Sequence, residues 1–387
     1  MKKTVHTVIE IFDSVNLQNN ILASVAYKAK RTIFLYEPRH EDGMEGVFAF
    51  LKEKMPGLII DKIPVSARNA KETVWEVMEP LHEAVEDVIV EINGGNSIIG
   101  NYARECCRRF GITCIVSDVT SNRIIGVENA KEWEGAIEFP QLDFEDILML
   151  QGRVFNRNMH MLAEEKYHER ILAMSEYVFA HQSDIKFFYD FVHHKSEGEL
   201  SEPGLHIVLN RVQDVSERIL KIFKMLESQG FIRNFDHGDK KITFICTEPF
   251  VKEMLAVKGS WLEMYVYILA KRSGLFSEVY QSVMIGWDLE IRPKFNVENE
   301  IDVVLMKQGV PIFISCKMTN PKPDALNEIY ALANSFGGYG AIPVLVTSSD
   351  VRNRSKTLWN RSEEMGVTLI DCQKLNREGM REFFENL

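Results

Sequence analysis

The stretch NEIDVVLMKQGVPIFISCKM, residues 299–318, reads as two largely apolar strands joined by a short turn at Gln308-Gly309, the first bearing Asp302 and the second Lys317. On PIFISCK a period of two places Phe313, Ser315 and Lys317 on one face and Ile312, Ile314 and Cys316 on the other. A lysine inside a hydrophobic strand is costly unless it is paired or functional, and Asp302 poses the same problem one strand earlier. A structural ion pair is the competing explanation, but a catalytic one accounts for more. Phosphodiester cleavage needs a divalent cation to polarise the phosphoryl group and activate a water, plus a cationic side chain to steady that water. Mg²⁺ takes oxygen ligands at about 2.1 Å. Asp302, the backbone carbonyl of Cys316 and Lys317 supply such a set, with Mg²⁺ or Mn²⁺ as the expected metal.

Around this pair, GSWLEMYVYILAKRSG (259–274) is a helix apolar nearly all round, hence buried, and its one early charge is Glu263. A further strand at SEVYQSVMIGW and the stretch ALNEIYALANSFGGYGAIPVLVTS complete an order of helix, three strands, helix, strand. This segment resembles the PD-(D/E)xK nuclease superfamily. One departure matters: the resemblance calls for an acid two residues before the lysine, where this chain has Ser315. Ser315 then acts through its hydroxyl or a bridging water, and the missing carboxylate comes from Glu263 or from Glu328 on the following helix. Glu263 also fits a helix-capping box with Ser260, Glu328 also fits a solvated helix face, and Glu300 is a third candidate.

Upstream, residues 1–130 alternate strands (TVIEIF, TIFLYE, LIIDKIPV, DVIVEI, TCIVSD) with helical stretches, the order of a parallel Rossmann-like sheet. Ligands of such sheets sit beyond the carboxyl ends of the strands. Two loops stand there: Asp13-Ser14-Val15-Asn16 after the first strand and Asn93-Gly94-Gly95-Asn96-Ser97 after the fourth. The paired glycines let backbone approach a polar or anionic ligand, or else form a tight turn capped by Asn96 or Ser97. Residues 141–195 are helical and polar on one face. Segment 203–257 reads as a winged helix: a helix at GLHIVLNRV, a second starting at Asp214-Val215-Ser216-Glu217, and a hairpin wing around Asp236–Asp239. Arg218, Lys221, Lys224, Arg233, Lys240 and Lys241 either touch a phosphate backbone or form a solvated face.

The bounds set by composition agree. The chain has 387 residues, enough for two or three domains, and is 45% hydrophobic and 26% charged. A net charge of −11 argues against a protein that coats nucleic acid but allows a local cleft. Six cysteines without a CxxC pair make zinc improbable. Glu10 and Asp13 break the first apolar run, and no run is long enough to span a bilayer, so a cytoplasmic protein without membrane contact is expected.

Taken together, these parts resemble one family, the CRISPR ancillary nucleases with a CARF sensor domain. The fold class expected is α/β: a Rossmann-like CARF domain at 1–145, a helical connector at 146–202, a winged-helix spacer at 203–258 and a restriction-endonuclease-like domain at 259–387. The resemblance implies a homodimer that binds a cyclic oligoadenylate across its two-fold axis, with Asp13, Ser14, Asn16, Gly94, Gly95, Asn96 and Ser97 lining the cleft. It further implies cyclic tetra-adenylate in preference to the hexa-adenylate, and single-stranded RNA or DNA as substrate. Two rivals have their own signatures. A ligand-responsive transcription regulator with a decayed nuclease end would keep its function without Asp302 and Lys317, and a Rossmann enzyme acting on free nucleotides would turn them over.

Overall fold

The computed structural model describes residues 5–82, 87–119, 121–156, 163–196, 200, 204–210, 212, 215–287 and 298–387. All five strands expected in the N-terminal part form. They are β1 (Thr7–Ile11), β2 (Arg31–Tyr36), β3 (Ile59–Pro64), β4 (Val88–Glu91) and β5 (Thr113–Asp118), followed by β6 (Arg123–Glu128) and β7 (Gly135–Ala136). Their order is β3-β2-β1-β4-β5-β6-β7, parallel through β5 and antiparallel at the β6 and β7 edge. Every residue of β1 is buried, as expected of a strand covered on both faces. The covering helices are α1 (Leu22–Ala26), α2 (Glu45–Lys54), α3 (Ala70–His82) and α4 (Ser97–Phe110). Chain order reverses between β1 and β4, so the loops after these two strands flank the crevice at the topological switch point.

The stretch expected to be a helical connector departs from that reading. Helix α5 (Phe144–Leu150) is followed by a strand, β8 (Val154–Asn156), and only then by α6 (His168–Ala180) and α7 (Gln182–Lys195). Strand β8 pairs antiparallel with β12 (Glu278–Gly286), so a piece of the connector forms an edge of the C-terminal sheet. Local periodicity cannot reveal a three-residue strand whose partner lies more than a hundred residues away.

In the winged-helix segment GLHIVLNRV is not a helix but a strand, β9 (His206–Asn210). Ile207 and Leu209 are buried with a period of two, and the run is too short and too β-branched to favour a helix. Helix α8 (Glu217–Ser228) starts at Ser216 without a side-chain cap bond, and Asp214 lies outside the described residues. The hairpin forms as β10 (Ile232–His237) and β11 (Lys241–Cys246), with β9 joining β11 in an antiparallel sheet, before α9 (Pro249–Ala256). All six basic residues named above are exposed, and Arg218 pairs with Asp184 at 3.5 Å.

The C-terminal sheet runs β16-β15-β14-β13-β12-β8, with β13 (Glu298–Lys307), β14 (Val310–Lys317), β15 (Ile342–Thr347) and β16 (Thr368–Ile370). Strands β12 to β14 are antiparallel, and β14 to β16 are parallel. Gln308 and Gly309 both have positive φ (52° and 78°), the backbone of a two-residue hairpin turn. Helices α10 (Ser260–Ser273), α11 (Pro323–Phe336), α12 (Val351–Arg354), α13 (Lys356–Met365) and α14 (Arg377–Asn386) cover it. One face packs in a single cluster with α6 to α10 and α14, while the other packs with α5, α11 and α13. The winged-helix segment and the nuclease-like sheet therefore share one core. Among the described residues no helix is long and apolar enough to cross a membrane.

Helix α5 joins the two ends of the chain. Phe144, Ile147 and Leu148 pack into the C-terminal sheet, while Leu150 packs among Phe12, Leu17, Ile21 and Val47 of the N-terminal domain. Lys54 of α2 meets Asp146 at 2.7 Å. Gly46 sits so close that a Cβ there would lie 2.3 Å from the Leu150 carbonyl oxygen and 2.4 Å from that of Met149. Backbone cannot yield cheaply, so Gly46→Ala is expected to destabilise the protein by about 1–3 kcal/mol. Thermal melting checks this, and an unchanged midpoint would show that the two helices do not pack as described.

Candidate nuclease site

Strands β13 and β14 pair from Lys307↔Val310 to Val303↔Ile314 and then part. Asp302 and Ser315 are the first residues beyond the last rung. Asp302 Oδ2 accepts from the Cys316 backbone N–H at 2.5 Å and from Ser315 Oγ at 3.3 Å, which fixes its carboxylate in the mouth of the fork. The N–H and C=O of one strand residue point toward the same neighbour, so the Cys316 carbonyl also faces the fork. Lys317 is two residues further along β14, on the Ser315 side of the strand.

A cavity of about 560 Å³ opens on this fork. Glu263, Gln281, Ser282, Glu300 and Asp302 line one side of it, and residues of α9 and the loop before β9 line the other. Burial is the main reason why the Asp302 carboxyl is held above its ordinary range, and Glu300 adds to it. The Cys316 N–H, the Lys317 charge and the Ser315 hydroxyl pull it back down. Burial, then Asp302 and then Glu300 push Glu263 up to about 8, and Lys317 opposes them.

Glu263 is free to serve the site because the capping box expected with Ser260 does not form. The helix is capped at Gly259 with no side-chain bond, and a Cβ on Gly259 would lie 2.7 Å from Glu263 Oε1. Glu328, the other candidate for the missing acid, does not line the cavity and is exposed on α11, with Leu326 and Ile329 on the buried side. The helical phase that buries those two turns Glu328 to solvent. Ser315 does reach Asp302, as a hydroxyl donor. Glu300 lines the cavity, although it ranked last in the sequence. Gln281 and Ser282 were missed there; two adjacent polar residues inside an otherwise apolar strand were the available signal.

The donors suit a hard divalent cation. Asp302, Glu263 and Glu300 repel one another in a partly desolvated cavity, a repulsion that a cation would relieve. Among the described residues no three His, Cys, Asp or Glu side chains converge to hold a metal by themselves, so neutral oxygens have to complete the shell.

At the switch point of the N-terminal sheet, Asp13 is buried and turned inward. Its Oδ1 accepts from the backbone N–H groups of Val15 (2.9 Å) and Asn16 (3.0 Å), and its Oδ2 accepts from Asn19 Nδ2 (2.9 Å). Asp13 therefore builds the loop instead of facing a ligand. The glycines likewise serve the contact between the loops: a Cβ on Gly94 would lie 1.9 Å from Asp13 Oδ2, and one on Gly95 (φ 74°) 2.5 Å from the Phe12 carbonyl oxygen. Asn96 caps α4, accepting from the Ile98 N–H at 2.8 Å, and hydrogen-bonds to Glu37, which lowers the Glu37 carboxyl. Ser14, Gly95 and Ser97 are exposed, and Asn16 is half-buried.

Behind these loops Glu10 and Glu91 stand opposite each other on β1 and β4, both buried. Burial and then repulsion from Glu91 hold the Glu10 carboxyl well above its ordinary range. Glu91, also raised by burial, accepts from the Ala23 N–H at 3.0 Å and is the better anion of the two. A carboxyl with a raised folded pKa gives stability fully present below the unfolded value, and that stability is lost as pH rises through the folded value. Glu10→Gln mimics the protonated acid. It is expected to melt like the parent near pH 4.5, the ordinary value, and increasingly above it as pH rises. Parallel melting curves that never separate would rule out a buried shared proton.

Residues 252–386 match the family model "Card1-like, endonuclease domain". The match covers the last part of α9, the fork, the cavity carboxylates and Lys317. Two solved structures are similar to the whole chain: protein VC1899 from Vibrio cholerae (15% identity, 98% of each chain, TM-score 0.75) and Can2 from Sulfobacillus thermosulfidooxidans in complex with cyclic tetra-adenylate (15% identity, 98% of this chain and 99% of that one, TM-score 0.71). No curated protein matches the chain in sequence. The whole-chain likenesses bear out the α/β fold expected, a Rossmann-like N-terminal sheet joined to a second C-terminal sheet, and the Card1-like match bears out an endonuclease-like C-terminal segment.

Proposed function

We propose that this protein is a metal-dependent endonuclease of type III CRISPR antiviral defence, switched on by a cyclic oligoadenylate. The observation that carries the reading is the fork: a buried carboxylate anchored to β14, a lysine two residues past Ser315 and a second carboxylate from α10, all within the Card1-like segment.

Asp302, Glu263 and the Cys316 carbonyl would hold Mg²⁺ or Mn²⁺, which supplies Lewis acidity toward the scissile phosphate. Lys317 orients the attacking water and balances negative charge gathering on the phosphate. Ser315 keeps Asp302 in position. The substrate is a single strand of RNA or DNA.

The activator sits at the switch point between the loops after β1 and β4, with Ser14, Asn16, Asn96 and Ser97 presented to it and Asp13, Gly94 and Gly95 shaping the loops. Cyclic tetra-adenylate is the preferred ring, in line with the ligand of the similar Can2 structure. A two-fold ring is matched by a homodimer, and only its differential affinity for two dimer arrangements can shift the nuclease. Residues 1–145 form the sensor, 146–202 the connector, 203–258 the spacer and 259–387 the nuclease, with α5 and β8 coupling sensor to nuclease. The test is incubation with RNA and with DNA, under Mg²⁺ or Mn²⁺, with cyclic tri-, tetra- or hexa-adenylate. Cleavage with the tetra-adenylate is expected; cleavage with the hexa-adenylate alone would overturn the choice of ring.

A further inference from the structure

We infer that Gln281 supplies, through its side-chain oxygen, the metal-facing oxygen that a second strand acid would have given at Ser315. The inference rests on the metal-dependent reading above and names a residue which that reading does not use.

Gln281 lies on β12 opposite Val303, next to Asp302 on the neighbouring strand, and lines the same cavity as Glu263, Glu300 and Asp302. Its Oε1 is buried and has no hydrogen-bond partner among the described residues. A buried amide oxygen is costly to leave unpaired. Among the polar side chains that line the cavity with it, Glu253, Glu263, Glu300 and Asp302 are acceptors, and the cation among them, Lys252, donates to the Gly204 carbonyl. Acceptors crowded into one cavity are satisfied together by a cation or by the water bound to it.

The backbone carries a second mark at this point. Ser282, buried and not a glycine, has φ 50°, and it lies opposite Asp302, where the ladder passes from Gln281↔Val303 to Val283↔Ile301 without a rung between. Left-handed backbone inside a strand persists only where its surroundings enforce it, and such residues cluster at functional sites. Here the kink interrupts the alternation of β12. Val283 joins the core on the α11 face, while Gln281 and Ser282 both reach the cavity on the other. The strand is bent so that two polar residues serve the fork. Two carboxylates and a carbonyl leave a divalent cation short of protein oxygens, and among the described residues no three acidic side chains, Glu300 included, converge to hold it by themselves.

The test is Mn²⁺ titration of the full-length protein, read by the electron paramagnetic resonance of free Mn²⁺, without substrate. Gln281→Leu, which keeps the size and removes the oxygen, is expected to weaken Mn²⁺ binding about tenfold or more. Gln281→Glu, which keeps an oxygen there, should bind at least as tightly as the parent and shows that the position tolerates change. Asp302→Ala is the reference and should abolish the site. If Asp302→Ala abolishes binding while Gln281→Leu leaves it unchanged, the assignment of Gln281 is overturned and the metal reading stands. Equal weakening in Gln281→Leu and Gln281→Glu also overturns it, because the amide N–H and not the oxygen would then matter. Unchanged binding in Asp302→Ala overturns the metal reading and this inference with it.

Discussion

Lys317→Ala is expected to lower the rate of cleavage by about a hundredfold to ten-thousandfold, the range for losing a group that positions or transfers a proton at the reacting water. Its effect should fall on kcat and not on substrate affinity, because the lysine acts on charge and water that develop in the transition state. Stability should change little. Lys317 is half-buried at the open end of β14, and its removal leaves the Asp302 bond to the Cys316 N–H in place. Single-turnover cleavage with saturating activator, alongside a melting curve, separates the two effects. Activity within a few-fold of the parent would return Lys317 to the role of a structural partner for Asp302. That result would favour a regulator with a decayed nuclease end.

The second large effect is expected at Asp13. Its carboxylate takes two backbone N–H groups and the Asn19 amide, so Asp13→Ala leaves three donors in a partly buried loop without their acceptor. The cost is about 3 kcal/mol, with the donors partly recovered by water. The loop also supports Gly94 and Gly95, whose close approach depends on where Asp13 sits. Activator affinity should therefore fall at least about tenfold, while cleavage at saturating activator stays near the parent rate. Asp13→Asn keeps an oxygen for the two backbone donors and should lose far less. Calorimetric titration with cyclic tetra-adenylate measures this. Normal affinity in Asp13→Ala would show that the switch-point loops do not bind the ring.

Much of this organisation was legible in the sequence because it is written in local physics. The N-terminal strands are runs of β-branched and aromatic residues that only a doubly covered sheet can bury, and their spacing left room for crossover helices. Asp302 and Lys317 stood out because a charge inside an apolar strand needs a reason. What escaped depends on distant partners. Strand β8 has meaning only through β12, and β9 only through β11. A short apolar run does not announce which period it will adopt. The inward turn of Asp13 escaped for the same reason. The sequence showed polar and small residues at a strand end, whereas the fold shows one loop packed on the other. Glu263 and Glu328 looked equivalent until helix phase turned one into the cavity and the other to solvent. Gln281 needed the kink at Ser282 to become visible.

The proposed coupling between the N-terminal sheet and the fork has a physical candidate in α5, packed on β1-proximal residues at one end and on the fork sheet at the other. A ligand that reshapes the loop after β1 acts on Leu17 and Ile21, which share a cluster with Leu150. Such contiguity supplies a route, and the energy comes from the activator's preference for one arrangement.

In the proposed function the fork at Asp302 cleaves nucleic acid on command of the ring. The most direct measurement is cleavage of labelled single-stranded RNA and DNA by the parent and by Asp302→Ala, with Mn²⁺, with and without cyclic tetra-adenylate. Cleavage by the parent is expected only when metal and ring are both present, and none by Asp302→Ala. No cleavage by the parent under any combination, or equal cleavage by Asp302→Ala, would contradict it.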